Sequence, residues 1–249
     1  MTPLAVPVLD AARAAPIAVL AWVAADGTPR SCAVTPYVDA GDLVGTSTLA
    51  FPAKAAAMRR DPRVAMLVGG HLVTGRAEVA VADVAWFDRH VRAQEAAKFP
   101  PSRSLFAIPG HRRLFPWYVQ RIVVRIGDAS ATTAPGDDTV TLTSITDAGP
   151  AVTPVPRPAD LDADTIDLPG VADGPVDLLV HEEHADYADL RQRNVRGIVR
   201  DGVLEVATTT GSLEAGPTGT LAQLRELRRL GALAKASRPR WADWPRISG

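Results

Sequence analysis

The sequence predicts a mainly β chain with helices (α+β), built around a small barrel in its first half, and three observations carry that expectation. Turn signals recur at short intervals between residues 17 and 81: Asp26-Gly27, Ala40-Gly41-Asp42 and Gly69-Gly70. The runs between them, 17–25, 31–38, 43–48, 64–68 and 72–81, are of strand length, and several alternate in polarity. After Gly127 the composition shifts to small, polar and Pro/Gly-containing residues, as between packed units.

Two helices interrupt the strands. Residues 52–60 begin near Pro52, carry Ala53, Ala56, Ala57 and Met58, and stop at Asp61-Pro62. Residues 82–97 form the second, with Asp83 as N-cap and Trp86, Phe87, His90 and Val91 on one stripe. A closing strand is expected over 118–126. The division that follows is a first unit over 1–128, a linker over 129–138 and a second unit over 139–249. The second unit has expected strands at 139–145, 176–180, 195–199 and 203–208 and a helix from Thr220 to about Lys235, in which Leu221, Leu224, Leu227, Leu230 and Leu233 recur every third residue.

Two internal echoes raise a second, degenerate barrel as one reading of the second unit. One pairs residues 41–49 with 202–210, and the other pairs Ala33-Val34-Thr35-Pro36 with Ala151-Val152-Thr153-Pro154. The two registers are not collinear, so at least one is chance.

Composition limits the function classes. With 249 residues the chain suits one large unit or two ordinary ones, and 27 basic against 28 acidic residues leave a net charge of -1. No overall field draws it to nucleic acid or to anionic lipid. Cys32 is the single cysteine, in an apolar alternating run, and fits a small buried hydrophobe in a reducing compartment. The apolar stretch 17–25 follows Asp10 and Arg13 and meets neither signal-peptide nor membrane-span rules, so a cytoplasmic protein is expected.

The chemistry-bearing stretch is a strand ending in Thr46-Ser47-Thr48 followed by a short helix with Lys54. Hydroxyls at a strand end and a cation one turn into the next helix supply the donors a phosphate needs. The same spacing also suits hydroxyls that cap the helix beside a solvated lysine.

The ordered set Ala24-Ala25-Asp26-Gly27-Thr28-Pro29-Arg30, Val34-Thr35-Pro36-Tyr37, Asp42-Leu43-Val44-Gly45-Thr46-Ser47, Lys54 to Val68 and Gly75-Arg76-Ala77-Glu78-Val79 resembles the pyridoxamine 5'-phosphate oxidase-like FMN-binding split-barrel family over about the first half of the chain. The resemblance implies a split barrel with FMN, or alternatively a deazaflavin, in a groove between two barrels, and an oxidoreductase acting on an unidentified small molecule. It implies that Val34, Thr35 and Pro36 present backbone to the ring while Thr46, Ser47, Thr48 and Lys54 hold the phosphate, with Arg30 adding charge. Trp117 is the aromatic candidate for stacking on the ring. The basic substrate-phosphate residues of a true pyridoxamine phosphate oxidase have no match, and no lysine equivalent to Lys54 follows Thr208-Thr209-Thr210. The partner barrel is either a second copy, in a homodimer, or the second half, as an intramolecular pseudo-dimer with one site per chain.

A non-catalytic flavin- or haem-binding protein is the alternative function. His181 and His184 lie among acids, which favours a turn over a haem or metal pair, and no metal site is expected. His111, in His111-Arg112-Arg113, is either a rim residue or a substrate contact.

Overall fold

The computed structural model describes residues 4–99, 103, 106–114, 116–134, 136, 139–182, 191–214 and 220–248. Helix α1 (Val6–Ala14) precedes β1 (Ala18–Val23), β2 (Pro29–Val34), β3 (Pro36–Asp39) and β4 (Asp42–Thr48). Helix α2 (Ala53–Arg60) then leads into β5 (Arg63–Val68) and β6 (His71–Ala82). Three consecutive segments, Val84–Trp86, Phe87–Val91 and Arg92–Lys98, make one helix, α3, whose middle segment is a π turn. The Asp83 carboxylate caps it by accepting from Trp86 N at 2.8 Å. Short helices α4 (His111–Leu114) and α5 (Pro116–Val119) precede β7 (Arg121–Thr133).

These strands form one antiparallel sheet in the order β2-β1-β5-β6-β7-β4-β3. β2 and β3 are its two edges, yet Thr35 alone separates them in the chain, so the edges must meet and the sheet closes on itself. Side chains confirm the closure. A Cβ on Gly45 in β4 would lie 3.3 Å from Met66 Cε and 3.9 Å from Leu20 Cδ2 and Val34 Cγ2, across the interior. Leu20, Leu43, Met58 and Met66 are fully buried in this core. The expected strand 31–38 is therefore two strands. Pro36 has no N–H to continue a ladder, and at Thr35 the chain crosses from one edge to the other.

The second sheet contains β8 (Val140–Thr146), β9 (Gly149–Pro154), β10 (Thr165–Asp167), β11 (Gly174–Glu182), β12 (Arg191–Arg200) and β13 (Val203–Ser212), in the order β9-β8-β11-β12-β13-β10. That order repeats the first sheet with β8 for β1, β9 for β2, β11 for β5, β12 for β6, β13 for β7 and β10 for the β3–β4 hairpin. Every equivalent pair is antiparallel. The bulges correspond too: register shifts fall between Thr74 and Arg76 in β6 and between Arg196 and Gly197 in β12. At both, a glycine is required by close approach, because a Cβ would lie 2.6 Å from Gly127 O at Gly75 and 1.8 Å from Glu205 O at Gly197.

Superposing these registers aligns Val64, Leu67, Val68, Val73 and Gly75 with Val176, Leu179, Val180, Val195 and Gly197. Neither sequence echo is this register. The 41–49/202–210 echo matches β4 with β13, which occupies β7's place. The Ala33/Ala151 echo does match β2 with β9, but Cys32 and Val34 face the barrel core while Val152 faces the opposing unit, so it is shifted by an odd number of residues and inverts the faces. The largest difference between units is the connection after β6. The first runs from Asp83 to Gln120 through α3, whereas the second turns at Asp201-Gly202, both with positive φ (50° and 76°).

β7 begins later than expected, at Arg121, because Pro116–Val119 is helical, and it runs on through Ala129–Thr133, the first part of the expected linker. β9, β10 and the C-terminal β14 (Arg246–Ile247) were not expected. The helix Thr220–Ser237, α6, returns to the first sheet, and Leu227, Leu230, Leu233 and Ala234 pack with Trp241 and Trp244 on the barrel core. Among the described residues no helix is long and apolar enough to cross a membrane.

Candidate functional site

The barrel's gap lies between β2 and the end of β4. β4 pairs with β3 only from Asp42 to Gly45, so the edge of Thr46–Thr48 on that side has no strand partner among the described residues. Alternation along β4 then sorts its side chains. Leu43 and Leu49 belong to the barrel core and Gly45 faces it, which places Ser47 inward, whereas Val44 packs under α3 and places Thr46 and Thr48 outward. The first unit is a split barrel.

Around this gap lie Val34, Thr35 and Pro36 at the seam, Ser47 on the unpaired end of β4, and Lys54 on α2. The Lys54 ammonium reaches inward to 3.5 Å from Cys32 Sγ, on β2. Ser47 Oγ makes only long bonds, 3.5 Å to Thr48 O and 3.4 Å to Phe51 O, so it is weakly held. Val34 is buried and Thr35 half-buried at the seam. Arg30 turns back to Pro29 O at 3.0 Å and lies 3.6 Å from Asp26. Thr46 and Thr48 do not join this group: both lie on the outer face, and Thr48 is opposite Arg121 on β7. Trp117 lies in α5, and its side chain falls outside the described residues.

The outer face carries a buried polar cluster that sequence reasoning missed. The Tyr37 hydroxyl donates to the Glu95 carboxylate, Arg121 stands 3.5 Å from Glu95, and the Lys98 ammonium donates to Ala12 O at 2.6 Å and to Pro36 O. Burial pushes Lys98 down to about 7, while the Glu95 charge pulls the other way. Lys98 thereby ties α1 and the seam to α3. Nearby, Asp39 is buried against His90 Nδ1 at 2.7 Å and Arg125. The signal for this face was available as Tyr37 and Asp39 at alternate positions with Asp42 paired to Asp39, and as Arg121 and Arg125 four apart on β7, but it becomes visible only once the β3–β4–β7 register is known.

On its other side β2 meets the second unit. Ser31 N and Oγ donate to the fully buried Asp177 carboxylate at 2.6 and 3.1 Å, Ala33 N donates to Gln192 Oε1 at 2.8 Å, and Asn194 Nδ2 donates to Ser31 O at 3.1 Å. Side chains thus satisfy an edge that would otherwise be open to pairing. The packing is reciprocal, with β2 against β11 and β9 against β5, and Val19, Ala21, Ala65, Leu67, Val152 and Leu179 form the apolar part.

A hollow of about 470 Å³ is lined by residues 106–113, including His111, Arg112 and Arg113. His111 Nδ1 is 3.1 Å from Ile108 O, and Arg112 is paired with Asp88 at 2.5 Å. His181 is buried in β11, whereas His184 lies outside the described residues. No group of three or more His, Cys, Asp or Glu among the described residues is placed to hold a metal ion.

No family model and no curated protein matches the chain. Among solved structures, a conserved hypothetical protein from Mycobacterium tuberculosis is similar at 16% identity and a TM-score of 0.39, covering 53% of this chain and 86% of that one. A putative pyridoxamine 5'-phosphate oxidase from Listeria innocua is similar at 18% identity and 0.32, covering 50% and 94%. An F420 reductase is similar at 20% identity and 0.34, covering 51% and 98%.

The residues at the gap fit the anionic end of a flavin-type cofactor through one cation and one lightly held hydroxyl, Lys54 and Ser47, on the same inner side. Thr46 and Thr48 lie outside that fit. The Asp177 carboxylate is turned onto Ser31 N–H and engaged there, away from Lys54's side of β2.

Proposed function

We propose that the chain is a flavin-dependent oxidoreductase, using FMN or a deazaflavin, that acts on a small molecule, and that its second unit takes the place of a partner barrel. The carrying observation is the position of Lys54, whose ammonium enters the gap of the split barrel beside β2, with Ser47 on the same side. In this reading Lys54 and Ser47 hold the cofactor's phosphate and Val34–Pro36 face its ring, with Thr35 at the seam. The bound flavin supplies the hydride or electron chemistry, and the protein supplies position and electrostatics. The reciprocal packing of two units with one strand order supports the intramolecular pseudo-dimer over a homodimer of the same contact, since the face that a second copy would use is already covered.

The test is the mass and absorption spectrum of whatever the purified protein carries, followed by titration with FMN. Lys54→Ala is expected to weaken FMN binding ten- to a hundredfold, because a charge-assisted phosphate contact contributes about 1.5–3 kcal/mol. Unchanged affinity would remove the phosphate assignment. A Soret band titrating to one haem per chain would replace the flavin reading with a haem one.

A further inference from the structure

The repeated architecture allows position-by-position comparison of the walls beside the two bulges. In the first unit the positions are Thr74 and Ser130, paired across β6 and β7, and their hydroxyls bond each other at 3.0 Å. In the second unit the equivalent pair is Arg196 and Thr208, on β12 and β13. Arg196 Nε lies 3.3 Å from the buried Asp177 carboxylate, an ion pair without a hydrogen bond, and its terminal nitrogens have no partner among the described residues. Thr208 is exposed, and so is Thr210, which pairs with Asn194 two residues along the same face. Asn194 and Asp177 both hold Ser31 of β2, so this face continues directly from the contact that covers the barrel's edge.

Two further facts single the wall out. From Ala207 to Ser212, β13 carries no charged side chain and, beyond Val206, whose N–H donates to Asp164 O at 2.9 Å, has no outer strand partner among the described residues, although an exposed edge is ordinarily guarded by charge. Arg196 is the cation beside these hydroxyls and pairs with a buried carboxylate, whereas Arg200, farther along the same face of β12, is paired with the exposed Glu205. A planar guanidinium drawn toward a buried carboxylate by charge, with terminal N–H groups unpartnered among the described residues and hydroxyls beside it that donate or accept, is chemistry suited to phosphate.

We infer that Arg196, Thr208 and Thr210 form an anion-binding wall in the second unit, taking a phosphate group carried by a ligand lying along β2. The wall rests on the flavin reading only for which molecule brings the phosphate, cofactor or substrate. The pseudo-equivalent wall of the first unit, with Thr74 and Ser130 engaged with each other and Thr74 in the place of Arg196, is expected to bind none.

The experiment uses the whole chain and inorganic pyrophosphate as probe, followed by amide shifts of Thr208, Thr210, Thr74 and Ser130. Saturable shifts at Thr208 and Thr210 alone, weakened at least tenfold in Arg196→Ala and several-fold in Thr208→Val/Thr210→Val, support the wall. The double variant changes only exposed hydroxyls and so guards against a failure of Arg196→Ala to fold. Absence of shifts at Thr208 and Thr210, or shifts unaffected by either variant, overturns it. FMN and riboflavin titrations then separate the two readings. FMN weakened by the variants while riboflavin is not places the cofactor's phosphate on the wall, and FMN unaffected while pyrophosphate is lost assigns the wall to a phosphorylated substrate. No FMN binding at all, with pyrophosphate still bound, removes the flavin reading and leaves the wall.

Discussion

The two units share a strand order and a bulge glycine, yet their contact is polar on one side and apolar on the other. Where β2 meets β11, Ser31 faces Asp177; at the reciprocal contact of β9 with β5, the equivalent positions are Val152 and Ala65, which pack in the same apolar cluster. One geometry is therefore satisfied by two chemistries. Strand order tolerates the exchange because a sheet face needs only complementary neighbours, and the polar version additionally closes the hydrogen bonds of the edge at Ser31.

The largest effect is expected from breaking the polar side. Asp177→Ala gives the second unit the residue that already occupies the equivalent place in the first, but it leaves Ser31 N–H and Asn194 without their acceptor and Arg196 without its counter-charge. We expect a loss of about 3–5 kcal/mol in urea unfolding. Ser31→Val/Asp177→Ala copies the apolar side and is expected to recover part of that loss, since a matched apolar pair replaces buried polar groups at small cost. A single variant within about 0.5 kcal/mol of the parent would show that the junction is not held at Asp177.

The second comparison concerns the excursion that only the first unit has. Lys98, on that excursion, titrates near 7 in the fold and near 10.5 when unfolded, so between those values the unfolded chain binds more protons and stability rises with pH. The burial cost of the charged amine is fully present below about pH 7 and is relieved toward 10.5. Lys98→Met removes this dependence. The stability difference between variant and parent should therefore shift toward the parent, by on the order of 3 kcal/mol, as pH rises from about 7 to 10. A difference independent of pH would mean that the Ala12 and Pro36 carbonyls hold the ammonium charged throughout.

Much of the first unit was legible because period-2 runs between Gly-containing turns fix strands locally: β1, β4, β5 and β6 lie within a residue or two of expectation. What local pattern does not contain is which edges meet. Thr35 as a seam, β3 as a separate strand and the outward turn of Thr46 and Thr48 all follow from sheet closure, a long-range property. The repeat was legible in principle, since residues 64–68 and 176–180 both read as a buried Val-rich run and are followed by a bulge glycine, Gly75 and Gly197. It was obscured because the 38 residues from Asp83 to Gln120 stand where the second unit has two, Asp201 and Gly202, and because matches elsewhere fell on exposed or out-of-phase positions. The gap residues split for the same reason, as three adjacent hydroxyls on a strand cannot share a face.

That split gives the finest test. Thr48 Oγ1 is buried on the outer face without a hydrogen-bond partner among the described residues, whereas Ser47 Oγ faces the gap with only long contacts to backbone carbonyls among them. Replacing the Thr48 hydroxyl by a methyl keeps the side-chain shape and removes an unsatisfied polar atom, so Thr48→Val should stabilise the fold by about 1 kcal/mol. Because the side chain points away from the gap, FMN affinity should not change. Ser47→Ala does the reverse: stability stays within about 0.5 kcal/mol, because only weak bonds are lost. FMN affinity should fall roughly two- to tenfold, the equivalent of one neutral hydrogen bond. Fluorescence titration beside urea unfolding reads both quantities on the same two variants. If Thr48→Val weakened FMN while Ser47→Ala did not, the phosphate would lie on the outer face beside Arg121, and the assignment of the inner gap to the cofactor would have to be given up.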